Sequence, residues 1–260
     1  MKNYNTKLFS GRAEDYTHSR PSYPEVLADY LFDTLSGSSS VAIADVGSGT
    51  GKFAECLIKG AARLLGGDVT IYGVEPNDDM RRTAERELSE HACFRSVAGS
   101  AEQTTLPDSS VDIVTAAQAF HWFNAEAFAS ECRRILRDGG RVCLVWNERD
   151  LNTAIVRELY ELYGKYCPRF KGFSNGLTTN DQKISEFFNG RYDFESFDNP
   201  LRFDKQKFVL RSLSSSYSLS RGDARFDEYI AELNALFDKH AHDSCLVIPC
   251  RASVYIGSVN

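Results

Sequence analysis

Long apolar runs are missing from this 260-residue chain. No stretch approaches the roughly 18 apolar residues of a membrane-spanning helix, so no membrane role is expected. The opening residues, Met1-Lys2-Asn3-Tyr4-Asn5, lack the apolar centre of a secretory leader. The expectation is a cytoplasmic protein. Positive charge is in short supply: 30 Lys and Arg stand against 36 Asp and Glu, a formal balance of −6. That leaves no electrostatic footprint for nucleic acid or an anionic membrane surface. The seven cysteines are scattered, with no C-x-x-C pair and no Cys/His cluster of zinc spacing. Cys56, Cys132 and Cys143 sit in apolar segments and read as buried free thiols, and no metal site is expected. Repeats and disordered linkers are absent as well. The chain is long enough for one large domain, and a single domain over residues 1–260 is expected.

The stretch around which the rest is organised runs from Val41 to Phe53. Val41-Ala42-Ile43-Ala44-Asp45-Val46 has the continuous apolar character of a strand covered on both faces. Gly47, Gly49 and Gly51 alternate after it, and Phe53, Leu57, Ala61 and Leu64 then recur at helical spacing. Strand, glycine turn and helix form the first half of a βαβ unit, with free N–H groups of the helix start aimed at a ligand above the strand end. The dinucleotide fingerprint needs a third glycine where Lys52 stands, and no Gly-Lys-Ser/Thr closes the turn, which weakens the pyrophosphate and nucleoside-triphosphate readings. The next apolar run, Val69–Val74, ends on Glu75, roughly 20–25 residues past the glycines, where a carboxylate accepts hydrogen bonds from ribose hydroxyls. The residues thus point to a ligand with a ribose and without a pyrophosphate.

Elsewhere the pattern alternates strands and helices. Ser22 and Pro24 open a helix through Val26–Leu31, Asn77 caps one reaching Leu88, and Asn124 caps one from Ala125 to Leu136, ended by Asp138-Gly139-Gly140. Strands are expected at about 92–98, 111–116 and 141–146. This rhythm indicates a parallel, doubly wound sheet. Beyond Asn147 it changes. Helices are expected at about 152–166, 181–188 and around 226–237, a strand at 192–197, a helix or turn at 204–213, and one or two strands in 245–256. The serine-rich 212–220 reads as a loop over the site. Arg81-Arg82 and Arg133-Arg134 read as solvated helix faces.

Further motifs join the glycine turn: Phe9-Ser10-Gly11-Arg12-Ala13-Glu14-Asp15-Tyr16 with Arg20-Pro21-Ser22-Tyr23-Pro24, then Val74-Glu75-Pro76-Asn77, Gly99-Ser100-Ala101-Glu102 and Gln118-Ala119-Phe120-His121-Trp122-Phe123. With them the chain resembles the class I S-adenosylmethionine-dependent methyltransferases, and within these the small-molecule branch that includes the trans-aconitate methyltransferases (methyltransferase type 11 domain). The resemblance implies a Rossmann-like doubly wound, mostly parallel seven-stranded sheet with an antiparallel last strand and a helical cover. It further implies a cofactor core at about 36–150, an N-terminal cap at 1–35, and a substrate cover with C-terminal strands at 151–260.

The same resemblance implies S-adenosylmethionine as cofactor and a small-molecule methyl acceptor as partner; it leaves the oligomeric state open. Asp45 with Gly47, Gly49 and Gly51 would hold the methionine end, Glu75 beside Pro76 the ribose, and Ser100, Ala101 and Glu102 the adenine. Many relatives carry an aspartate where Ser100 stands, so the Ala101 N–H takes on weight there. Gln118 and Ala119 would border the sulfonium. His121 is open as base, substrate donor or structural histidine. Tyr16, Arg20 and Tyr23 match positions that fold over the cofactor, and Arg20 doubles as a candidate catalytic residue through a carboxylate. Arg211 and Arg221, with Phe170, Phe173 and Tyr217, belong to the expected roof and suit an acidic acceptor. The Asn-Pro-Pro-Tyr signature of enzymes that methylate planar amino groups is absent. Two alternatives stay open: an NAD-dependent oxidoreductase on the same nucleotide site, and a non-catalytic relative.

Overall fold

The computed structural model describes residues 22–35, 40–64, 68–173 and 182–259. Tyr16 and Arg20 lie outside the described residues. In chain order come α1 (Glu25–Asp33), β1 (Ser40–Val46), α2 (Lys52–Leu64), β2 (Asp68–Val74), α3 (Asp78–Glu87), β3 (Phe94–Val97) and β4 (Val111–Ala117). A 3₁₀ turn at Phe120–Trp122 leads to α4 (Ala125–Ile135), β5 (Leu136–Arg149), α5 (Ala154–Tyr166), α6 (Gln182–Phe187) and β6 (Tyr192–Asp198). The chain continues through β7 (Leu201–Phe203), α7 (Lys205–Leu213), α8 (Phe226–His240), β8 (Leu246–Ile248) and β9 (Cys250–Gly257).

The main sheet has seven strands in the order β3-β2-β1-β4-β5-β9-β6. β3 through β5 run parallel, and β9 inserts antiparallel between β5 and β6. The expected mostly parallel, doubly wound fold with an antiparallel last strand is what forms. Side chains of β1 alternate between two apolar layers, as a pleated strand requires. Val41 and Ile43 meet Leu27, Leu31, Phe53 and Leu57 of α1 and α2. Ala42, Ala44 and Val46 turn the other way, toward Phe128 and Cys132 of α4 and Phe187 of α6. A third cluster lies in the segment after β5, where Leu159, Tyr163, Phe208, Tyr229, Leu233 and Phe237 join α5, α7 and α8 to the β7–β8 pair.

Local chemistry sets the boundaries. Asn77 accepts the Met80 N–H at 3.0 Å and Asn124 accepts the Ala127 N–H at 3.1 Å, so both expected caps form. Asp204 caps α7 in the same way through the Lys207 N–H. Two expectations need correcting. Pro24, not Ser22, is the residue before α1. Asp138-Gly139-Gly140 does not end α4; the helix stops at Ile135, and Leu136 already pairs with Val111 across a register shift. Beyond Leu213 the serine-rich segment is a run of turns, with Ser214, Ser215 and Ser218 buried in it. The 245–256 stretch divides at Pro249, which has no N–H to give a ladder. β8 pairs with β7, and β9 joins the main sheet.

Because the strand order reverses between β1 and β4, loops at their C-terminal ends diverge and leave a crevice, the usual ligand position in such sheets.

Candidate functional site

The turn after β1 is built on its neighbour. Gly47 and Ser48 both donate to the Val74 carbonyl, at 2.8 and 3.2 Å, and Gly51 donates to Ser48 at 2.9 Å. All three glycines have positive φ, at 71°, 56° and 81°, a region that costs any other residue energy. Their surroundings differ. A Cβ on Gly47 would stand 2.7 Å from the Ala119 Cβ, and one on Gly51 2.8 Å from Leu88, so both are closed by packing. A Cβ on Gly49 would meet nothing within 4 Å. Gly49 is therefore the point where the main chain faces open space.

Glu75 stands at the tip of β2 and is buried. Its Oε2 accepts the Gly49 N–H at 2.9 Å and its Oε1 accepts the Asn77 N–H at 2.8 Å. A carboxylate has about four acceptor positions, so capacity for further donors remains. Pro76 is exposed between Glu75 and the helix cap. Asp45 is the next-to-last residue of β1, on the α2 side, and is fully buried. Thr115 of β4 donates to its Oδ1 at 2.9 Å, while Oδ2 is buried without a hydrogen-bond partner.

Two loops border the crevice. Ser100 and Gln103 bond each other through their main chains at 2.9 and 3.3 Å, with Ala101 buried between them and Glu102 exposed. The Glu102 carboxylate accepts the Asn124 N–H at 3.2 Å, which ties this loop to the start of α4. On the other side Gln118 takes a φ of 56°, and its Nε2 donates to the Asn147 carbonyl at 3.4 Å. Ala119 and the Phe123 ring close against Gly47. Phe120 is core, edge-on to Phe187 and Trp146. His121 and Trp122 are half-buried with their rings 4.9 Å apart.

Residues 44–144 match the model of a methyltransferase domain family. An uncharacterized methyltransferase-like protein of Schizosaccharomyces pombe is 29% identical over 219 residues, 82% of this chain and 80% of that protein. An uncharacterized methyltransferase of Mycobacterium tuberculosis is 34% identical over 157 residues, 60% of this chain and 59% of its own length. The chain thus spans about three-fifths of the mycobacterial relative. Among solved structures, a protein assigned as a type II methyltransferase in Anaeromyxobacter dehalogenans superposes with a TM-score of 0.66 at 22% identity, covering 92% of this chain and 98% of that one. A methyltransferase assigned to an antibiotic pathway in Anabaena variabilis gives 0.61 at 21% identity, over 91% and 98%. Residues 44–144 are thus similar to a methyltransferase domain, on a fold shared with these two solved structures.

Within the crevice the two acidic residues share an electrostatic setting. Burial pushes the Asp45 carboxyl up to about 7; the Thr115 hydroxyl opposes this, and the nearby Glu75 charge adds to it. The Ala54 amide, in the first turn of α2, offsets part of the cost without reaching hydrogen-bond geometry to Oδ2. Burial raises Glu75 too, against the amides of Asn77 and Gly49 and the Arg81 charge. A crevice with two reluctant carboxylates is arranged for a ligand with donors and positive charge, which would favour their ionised forms.

Sequence reasoning missed some of the supporting residues. Arg81 is not a solvated face: its guanidinium bonds the Glu75 carbonyl at 3.2 Å and also the Asp78 carboxylate. Glu131 of α4 accepts the Thr104 N–H and hydroxyl at 2.7 and 2.6 Å, and Arg134 clamps the same carboxylate. Burial raises the Glu131 carboxyl, but these partners outweigh it and hold it at about 2. The pair anchors the 99–106 loop, whose Gly99 leaves no room for a Cβ beside the Thr104 carbonyl. An i,i+3 Glu-Arg pair on a helix gives no local sign of so distant a partner. Arg221 is exposed, whereas Arg211 is buried and bonds Ser215 at 3.2 Å.

Among the described residues no helix is long and apolar enough to cross a membrane, and no group of three or more His, Cys, Asp or Glu side chains converges.

Proposed function

We propose that the chain transfers a methyl group from S-adenosylmethionine to a small, carboxylate-bearing acceptor. The observation that carries the reading is the Gly49–Glu75 pair: main chain open to the crevice beside a buried carboxylate with acceptor capacity to spare. These residues fit the cofactor. Glu75 would take the two ribose hydroxyls, the 47–51 turn would receive the methionine end, and the Ala101 N–H with Ser100 would border the adenine. Bound there, the cofactor supplies a methyl on an electron-poor sulfur, so the protein's task is alignment rather than activation.

The chain's own residues then divide the work. Asp45, through the buried oxygen that lacks a partner, favours positive charge above the strand ends. Gln118 and Ala119 form the wall between turn and acceptor, and His121 is the base or donor candidate on that wall. The reading treats residues 151–259 as a cover over the acceptor and the whole chain as one functional unit. It assigns the cytoplasm as compartment and requires neither nucleic acid nor membrane. An oxidoreductase using NAD is less well supported, because Lys52 occupies the third fingerprint position and pairs with Glu55 at 3.6 Å.

The test is an acceptor screen with isotopically labelled methyl donor and detection by mass. Transfer to one or more small carboxylates is expected. Labelled product found only on amines without a carboxylate would refute the acceptor class.

A further inference from the structure

β5 outruns its neighbour. β4 ends at Ala117, paired with Val145, and β5 continues through Trp146, Asn147 and Glu148 to Arg149, supported by β9. Along a strand, alternate residues share a face, so Arg149 follows Cys143, Val145 and Asn147. Past the end of β4 that face leaves the sheet core and meets the cover. There the Arg149 guanidinium lies over the Phe173 ring, 4.4 Å from its centroid. Among the described residues its buried Nε has no hydrogen-bond partner, and Arg149 forms no ion pair. A guanidinium stays charged at any physiological pH. Arg149 is half-buried, and leaving its inner Nε–H unpaired is costly, so an arginine held this way suits an anion that arrives from outside.

The surroundings match that occupant. Phe173 packs near Tyr163, with ring centroids 6.2 Å apart, and Tyr217 closes on Tyr163 at 5.2 Å. The Tyr163 hydroxyl and Ser212 Oγ are 2.9 Å apart. Arg211, next to Ser212, brings a second guanidinium bonded to Ser215. Burial raises the Tyr163 hydroxyl, yet Arg149 and Arg211 both act on it in the opposite sense, so the two cations share one neighbourhood.

We infer that Arg149, stacked on Phe173, receives a carboxylate of the methyl acceptor through its Nε–H/Nη–H edge, with Tyr163, Ser212 and Arg211 forming the adjoining polar wall. The assignment rests on the methyltransferase reading above. A carboxylate accepted side-on by the planar fork is oriented as well as attracted. Held so, it is a handle rather than the nucleophile, and the atom that takes the methyl is a separate group of the same acceptor.

The experiment is calorimetric titration of acetate, succinate, glutarate and citrate into the full chain saturated with S-adenosylhomocysteine, for wild type, Arg149→Met, Arg149→Lys and Phe173→Leu. At least one carboxylate should bind wild type, with affinity falling about 10-fold or more in Arg149→Met and less in Arg149→Lys and Phe173→Leu. S-adenosylhomocysteine affinity should be unchanged throughout, which also certifies folding. Equal carboxylate affinity in wild type and Arg149→Met, or no carboxylate bound to wild type, overturns the assignment. Should S-adenosylhomocysteine fail to bind wild type, the cofactor reading fails instead, and the same titrations without it still decide Arg149.

Discussion

Asp45 provides the sharpest perturbation. Its carboxyl titrates near 7 in the fold, against 3.8 in an ordinary setting, because burial disfavours the charged form. The sign follows from which state holds the proton. Between these values the unfolded chain has already ionised while the folded chain keeps its proton, so raising the pH favours unfolding. Stability of the ligand-free protein from this group is therefore full below about pH 4 and declines as pH rises through 7. At 1.36 kcal/mol per unit the span is on the order of 4 kcal/mol. Asp45→Asn keeps the shape and the Thr115 contact but cannot ionise. Urea denaturation at intervals from pH 5 to 8.5 should show wild type losing stability relative to Asp45→Asn as pH rises. Working above pH 5 leaves the strongly depressed Glu131 carboxyl ionised throughout. Parallel stability curves for the two proteins would refute the claim that an uncompensated carboxyl sits beneath the turn.

Glu75→Ala removes a charged acceptor worth about 1.5–3 kcal/mol; S-adenosylhomocysteine affinity should fall roughly 10- to 150-fold with the fold intact by circular dichroism. Gly49→Ala meets no neighbour and should unfold only slightly earlier, by about 1–2 kcal/mol of backbone strain, whereas Gly47→Ala adds a clash with Ala119 and should lose clearly more in the same urea titration. Glu131→Gln should cost about 1.5–3 kcal/mol near neutral pH. Because the native carboxyl is held low, that difference is present above about pH 4.5 and should vanish as pH falls toward 2, as acid-dependent urea curves would reveal.

What sequence can reveal here is what short-range physics writes down. The turn was legible because three alternating glycines after an apolar run leave few other structures, and Asn77 and Asn124 were legible because a cap lies within three residues of its partner. The parallel order followed from the same strand–helix rhythm. Tertiary partners left no such trace. Glu131 meets Thr104 across 27 positions, and Arg81 looks like a surface charge until its helix swings it over the Glu75 carbonyl. Asp138-Gly139-Gly140 has the composition of a helix stop, yet Leu136 had already been taken by strand pairing with Val111. The cover was least legible, since Arg149, Phe173 and Ser212 come from three separate stretches brought together only by packing.

The proposed function requires the crevice between β1 and β4 to hold S-adenosylmethionine. Isothermal titration of S-adenosylhomocysteine into the purified full chain, beside NAD as control, tests it directly. Saturable one-to-one binding of S-adenosylhomocysteine, weakened in Glu75→Ala, is expected, and none of NAD. Binding of NAD without S-adenosylhomocysteine, or S-adenosylhomocysteine binding indifferent to Glu75→Ala, would contradict it.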